Sequence, residues 1–318
     1  MELPVSSYQH GIFPRSESVV EATRDLDRGR TTPDRVEEAF RRDRDDYLDL
    51  QRKAGLDLLS DGLLRWQDLF RPLVDSSEGL DAQVMVRWFD NNSFFRAPAV
   101  RAKPILRDST PWFEENGFPE PRVATLPSPY LFSRAAQSDQ DRDDLMMDVA
   151  RDVLAPAASR LVASGSTLVH LEEPWLPYFG IEDSSWDAFE QALGPIREAT
   201  EDSVLVLHLY YGEAAPYVDR LRRLPVDAVG IDFTETDLEA LPSPLGTGLV
   251  AGVLDGRRSV VEGAEEVAGF VLGMVERLRP TSLHLSSGSD LELLGEQVAR
   301  KKVEVLGETA RRVREQLS

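Results

Sequence analysis

The sequence has no cysteine. That absence excludes disulfides, thiolate metal ligands and cysteine nucleophiles at once. No apolar run approaches the ~20 residues needed to span a bilayer. The opening stretch, MELPVSSYQH, lacks the basic segment and apolar core of a secretory signal. Histidine is scarce, with four in 318 residues, and there are no repeats or low-complexity tracts. Positive charge is outweighed: 36 Lys and Arg against 56 Asp and Glu leave a net charge of −20. Such a surface repels phosphate backbones and anionic lipids, so neither nucleic acid nor a membrane is an expected partner. What is present is a globular composition, 42% hydrophobic and 29% charged. A cytoplasmic protein acting on a small molecule is expected, and a homodimer only on base rates.

Short β-rich runs alternate with amphipathic helical stretches from end to end. The runs are SSYQHG (6–11), LDLLSD (56–61), RVATLP (122–127), TLVHLEE (167–173), SVLVLHLY (203–210), DAVGIDF (227–233), GLVAGVLD (248–255) and SLHLSSG (282–288). A long helix is expected after the first run, with Thr32 as N-cap, Pro33 at its first position and Gly55 as its stop. Eight such alternations predict an α/β chain folded as one (β/α)8 TIM barrel domain over residues 1–318, in preference to an open doubly wound sheet. One segment departs from the rhythm. AQVMVRWFDNNSFFRAPAV (82–100) alternates on either side of Asp90-Asn91-Asn92 and predicts a β-hairpin inserted after the second strand. Its aromatics, Trp88, Phe89, Phe94 and Phe95, suit either packing on the barrel rim or a lid; Trp66 and Trp112 are expected to pack.

In a barrel, chemistry gathers where strands end at the C-terminal face. That rule selects His10, Gly11, Phe13 and Arg15 from the first strand, then Asp61, Asp68 and Arg71 from the second. The third and fourth supply Ser128, Tyr130, His170, Glu172 and Glu173, and the rest supply His208, Tyr210, Asp232, Asp255, His284, Ser287 and Ser289. All four histidines fall on or beside strand ends, although a strand histidine is more often a hydrogen-bonded core residue than a ligand. Residues two apart on a strand share a face, so His208 points with Tyr210 and His170 with Glu172. Glu172 and Glu173 face opposite ways, so one can enter the mouth while the other packs against a loop.

Several stretches, among them GIFPRSES (11–18), LQRKAGLDLLSDG (50–62), VRWFDNNSFFRAP (86–98), LPSPYLFSR (126–134), HLEEPWLP (170–177) and LELLGEQVARKK (291–302), resemble the catalytic half of cobalamin-independent methionine synthase. The resemblance runs in order over nearly the whole chain and implies a barrel of the type shared with uroporphyrinogen decarboxylase. It implies a zinc ion that activates homocysteine sulfur toward the methyl group of a folate or corrinoid donor. Carried over residue by residue, the zinc-binding histidine falls on His208, its cysteine neighbour on Tyr210, the acidic ligand on Asp232 and the last cysteine near Ser289. Both thiolates are missing, and a retained metal would rest on His208 and Asp232. The substrate-binding Gly-Ser-Phe-Pro of the family becomes Gly11-Ile12-Phe13-Pro14, and a family glutamate falls near Arg71, where a cation favours a carboxylate or phosphate.

The leading expectation is a methyltransferase of this type with an acceptor other than homocysteine and an altered or absent zinc site. His208, Glu172, Tyr210 and Asp232 are its catalytic candidates. Gly11, Phe13, Arg15, Asp61, Arg71, Ser128, Glu173 and Ser289 are the substrate-binding candidates. A methyl-folate or a methyl-corrinoid, the latter carried by a corrinoid protein, is the donor this resemblance implies. Two alternatives stand beside it: a metal-independent lyase or decarboxylase resting on Arg15, Arg71 and Asp61, and a non-catalytic homologue that binds a ligand or partner.

Overall fold

The computed structural model describes residues 3–108 and 118–317. Among the described residues nine strands are formed: β1 (Val5–Ser7), β2 (Ser77–Arg87), β3 (Phe94–Leu106), β4 (Arg122–Pro127), β5 (Ser166–Glu172), β6 (Val204–Leu209), β7 (Ala228–Asp232), β8 (Gly248–Leu254) and β9 (Leu283–Ser287). Seven make one parallel sheet in the order β1-β9-β8-β7-β6-β5-β4. The expected second strand, 56–61, is too short to be a ladder, but it closes the ring. Asp57 and Leu58 donate backbone N–H bonds to Ser7 O (2.9 and 3.2 Å), Leu59 donates to Pro121 O and accepts from Val123 (both 3.0 Å). The result is the expected TIM-barrel type of α/β fold, with one strand reduced to a bridge.

Strand alternation decides what fills the cylinder and what faces the helices. Val169, Leu171, Leu205, Leu207, Val229, Ile231, Leu249 and Ala251 face outward into the large core beneath the helices. Leu58, Val123, Leu168, Val206, Ala228 and Val250 close around Tyr8 as a separate inner cluster.

The helices follow the expected pattern with two refinements. Pro33–Ala54 ends at Gly55 with φ 77°, but Thr32, at the N-cap position, makes no side-chain cap bond. The helical stretch after Asp141 runs from Arg142 to Ala163 with a π-turn at Ala150–Leu154. Pro156 stands two residues past the end of that turn, and a residue without an N–H removes its own i→i−4 bond to Asp152, which is what a widened turn accommodates. No helix among the described residues is long and apolar enough to cross a membrane.

The inserted hairpin is longer than expected, spanning β2 and β3, with register shifts between Glu78 and Leu80 and between Ala82 and Met85. Bulges bend a ribbon, and here the bend brings its tip over the barrel mouth. Phe89 lies 4.8–6.0 Å, centroid to centroid, from Trp88, Trp175, Tyr178, Phe179 and Tyr211. Arg257 grips both carboxylate oxygens of Asp90 at 2.9 Å, and the Ser93 hydroxyl donates to Glu292 at 3.0 Å. Trp66 is buried in the main core, and Trp112 lies outside the described residues.

Candidate active site

Above the apolar inner cluster, the same inward-facing positions become polar. Moving two residues along each strand takes Tyr8 to His10, Leu168 to His170 and then Glu172, Val206 to His208 and then Tyr210, and Ala228 to Gly230 and then Asp232. All of these polar side chains are buried. Gly230 is small because His208 lies against it: a Cβ there would sit 2.5 Å from the His208 Cγ. Gly11 (φ 70°) plays the same part for Glu172, whose Oε1 would be 2.7 Å from an added Cβ.

Two hydrogen-bonded chains occupy this layer. In one, the Tyr8 hydroxyl lies 2.9 Å from His170 Nδ1, and His170 Nε2 lies 3.1 Å from His208 Nδ1. Burial and neighbouring imidazoles push the pKa values of His170 and His208 well down, so both are neutral. If Tyr8 donates its one proton to His170, then His170 donates onward and His208 carries its proton on Nε2. That Nε2 is buried and has no hydrogen-bond partner. In the other chain Glu172 sits between His10 Nδ1 (3.1 Å) and the Tyr210 hydroxyl, which donates to it at 2.9 Å. His10 stacks on His170 with centroids 4.1 Å apart, which binds the two chains together.

Glu173, facing away as expected, accepts from the Leu176 and Leu131 N–H groups (2.8 and 3.1 Å) and from the Ser128 hydroxyl. Burial still lifts its pKa to about 7. Ser128 also caps the following helix by accepting from Leu131 N at 3.0 Å. These two residues organise the loop beside the mouth.

The other expected site residues are spread more widely. Phe13 stacks on Tyr47 at 4.2 Å in the core. Arg15 directs its guanidinium to the Leu64 and Trp66 carbonyls. Asp61 accepts from Leu63 N (2.9 Å) and borders a different cleft, beside Arg122 and Thr125. Arg71 turns outward to Asp75 at 2.7 Å, so the positive group anticipated at the mouth is not there. Its neighbour Asp68 lines the cleft under the hairpin instead. Ser289 donates its hydroxyl to the Asp290 carbonyl, at 3.4 Å. Asp290, Glu292, Tyr8 and Tyr211 belong to the site and were not among the residues anticipated. The strand-end rule reached Ser289 and stopped one residue short of Asp290.

The zinc site implied by the resemblance does not fit these residues. Tyr210 is a neutral phenol, its pKa driven well up by burial and by the Glu172 charge, and its proton is engaged by Glu172. Asp232 Oδ1 is taken by the Thr234 N–H and hydroxyl (2.9 and 2.7 Å), and burial raises its pKa to about 6. Among the described residues, the set of three potential ligands close enough to share an ion is His10, His170 and His208. The His10 and His170 rings are parallel to within 11°, so their in-plane lone pairs cannot meet at one tetrahedral centre.

Comparison with known proteins places this geometry in context. The chain is 25% identical to methionine synthase of Saccharolobus solfataricus over 320 residues, covering 96% of this chain and 94% of that one. It is 24% identical to methionine synthase of Sulfolobus acidocaldarius, over 92% and 87% of the two chains. Among solved structures, a B12-independent methionine synthase from Shewanella sp. W3-18-1 in complex with selenomethionine superposes with a TM-score of 0.81 at 20% identity, over 100% of this chain and 99% of that one. A putative vitamin-B12-independent methionine synthase from Listeria monocytogenes gives 0.75 at 16% identity, over 98% of both chains. The motif resemblance points to the catalytic half of the synthase, and the family model that matches is the one described as cobalamin-independent synthase, N-terminal domain. That match spans residues 76–271, well over half of the chain, and the protein therefore belongs to the cobalamin-independent methionine synthase family.

Proposed function

We propose that the protein transfers a methyl group from a methyl-folate or methyl-corrinoid donor to an acceptor other than homocysteine, without zinc. The observation that carries this reading is Tyr210: a hydroxyl hydrogen-bonded to Glu172 stands where the resemblance expects a thiolate ligand. Without a metal to acidify a thiol, the acceptor must be nucleophilic once a base removes its proton. Glu172 is that base. It is buried at the mouth, oriented by His10 and Tyr210, and its pull on the acceptor's proton leaves a lone pair free to attack the donor methyl carbon. His208 Nε2–H is a hydrogen-bond donor for the donor's leaving group or for the acceptor, and the Tyr8–His170 chain holds the tautomer that keeps that proton on Nε2. The lyase reading is less well supported, because Arg15, Arg71 and Asp61 are engaged in three separate places.

The test is transfer of a 13C-methyl group from methyl-tetrahydrofolate, followed by NMR in the presence of a chelator. New methyl signals on a non-thiol acceptor, lost in Glu172→Gln, are expected. Methylation of homocysteine that stops on chelation contradicts the reading.

A further inference from the structure

We propose that the cleft between the hairpin and the barrel mouth binds the cationic end of an alkylamine, with Asp290 as its counter-ion. The cleft opens to solvent and leaves room inside for about one water-sized group, the size of an ammonium head, and its walls include Ile12, Asp68, Trp88, Phe95, Asp290 and Glu292. The three carboxylates are not equivalent. Asp68 is committed to the backbone N–H groups of Phe70, Arg71 and Arg96 at 2.8–3.0 Å. Glu292 accepts from Ser93 and feels the charge of Arg15. Asp290, 4% exposed, leaves Oδ1 without any hydrogen-bond partner.

A buried carboxylate oxygen with no donor, beside two further carboxylates, is a costly arrangement unless something supplies the donor and the opposite charge. Burial and the charges of Glu172 and Glu292 act together to push the Asp290 pKa well above the carboxylate range. No lysine or arginine side chain lines the cleft among the described residues. Arg15, which acts on Glu292, spends its guanidinium on the Leu64 and Trp66 carbonyls. Three of the remaining wall residues, Trp88, Phe94 and Phe95, are aromatic; Trp88 and Phe95 meet edge to face at 5.5 Å. Carboxylates combined with ring faces form a cage that suits an ammonium on an alkyl stem. The same cage disfavours a zwitterionic amino acid or a dicarboxylate, whose carboxylate would face Asp290 and Glu292 with no cation between them. Ile12 and Leu69, also in the wall, add apolar contact for the stem.

This inference rests on the methyl-transfer reading only for the ligand's role as acceptor; the binding stands without it. The experiment is calorimetric titration and thermal shift of the full chain near neutral pH with putrescine and agmatine, against glutarate and L-methionine. One amine site per chain is expected, with a rise in Tm that grows with amine concentration. Asp290→Asn should weaken amine binding by at least about tenfold, as removal of a buried charge partner does. Glu292→Gln should weaken it less. Unchanged amine affinity in Asp290→Asn, preference for glutarate or methionine, or no response to either amine overturns the proposal. Should Asp290→Asn not fold, unchanged affinity in Glu292→Gln overturns it equally. Amine binding without methyl transfer supports this proposal while failing the proposed function. Methyl transfer to an uncharged acceptor with no amine bound does the reverse.

Discussion

The lower and upper halves of the cylinder use the same strands and the same inward-facing positions, yet they are opposite in chemistry. Around Tyr8, the lower half is closed by Leu58, Val123, Leu168, Val206, Ala228 and Val250. Two residues further along, the upper half buries three imidazoles, and above them lie Glu172, Tyr210, Asp232 and Asp290. The lower half does what stability asks of a barrel interior. The upper half concentrates buried polar groups, and among their unpaired atoms are His208 Nε2 and Asp290 Oδ1. Buried polar atoms without partners cost stability, which is the pattern expected of a functional site.

Mutations on the two sides should therefore behave differently. Leu168→Ala, in the lower half, is expected to cost about 2–5 kcal/mol in urea unfolding, the usual range for an emptied core position. Asp290→Asn, in the upper half, should leave stability equal or higher, because it replaces a buried carboxyl that has an unpaired oxygen and that burial disfavours in its charged form. Equal losses in both variants would break the contrast. Gly230→Ala comes next, since its methyl group would press on the His208 ring. Overpacking of this kind costs about 1–3 kcal/mol, read as a fall in Tm.

Acidity offers a finer test. Folding raises the Asp232 pKa to about 6, so between pH of about 4 and about 6 the folded chain holds more protons than the unfolded chain. Stability must fall as pH climbs through that window. Asp232→Asn keeps the oxygen that Thr234 uses and removes the titration. The wild type should lose ground to it by up to about 1.4 kcal/mol per pH unit across the window. Parallel pH profiles would show that Asp232 carries no such shift. The smallest effect is expected at the hairpin latch. Arg257→Ala removes a partly exposed ion pair to Asp90, worth about 1 kcal/mol or less. Amide exchange around Phe89–Ser93 should quicken while global unfolding barely changes.

Much of this organisation is legible in the sequence, because strand alternation is a local signal. Seven of the eight predicted runs appear as strands within a few residues of their expected bounds, and the opposite fates of Glu172 and Glu173 follow from pleat geometry alone. What could not be read depends on contacts between distant segments. Arg71 sits beside Asp68, and only the fold decides which of them faces the cleft. Asp290 gains its meaning from Glu172, far away along the chain, and Tyr8 from His170. The 56–61 segment reads as a strand by composition, but it only bridges β1 and β4.

Whether this site works without zinc can be read by titrating zinc into the purified chain at neutral pH. No stoichiometric site is expected, and His208→Ala should give the same trace as the wild type. One tightly bound zinc per chain, abolished by His208→Ala, would contradict that expectation.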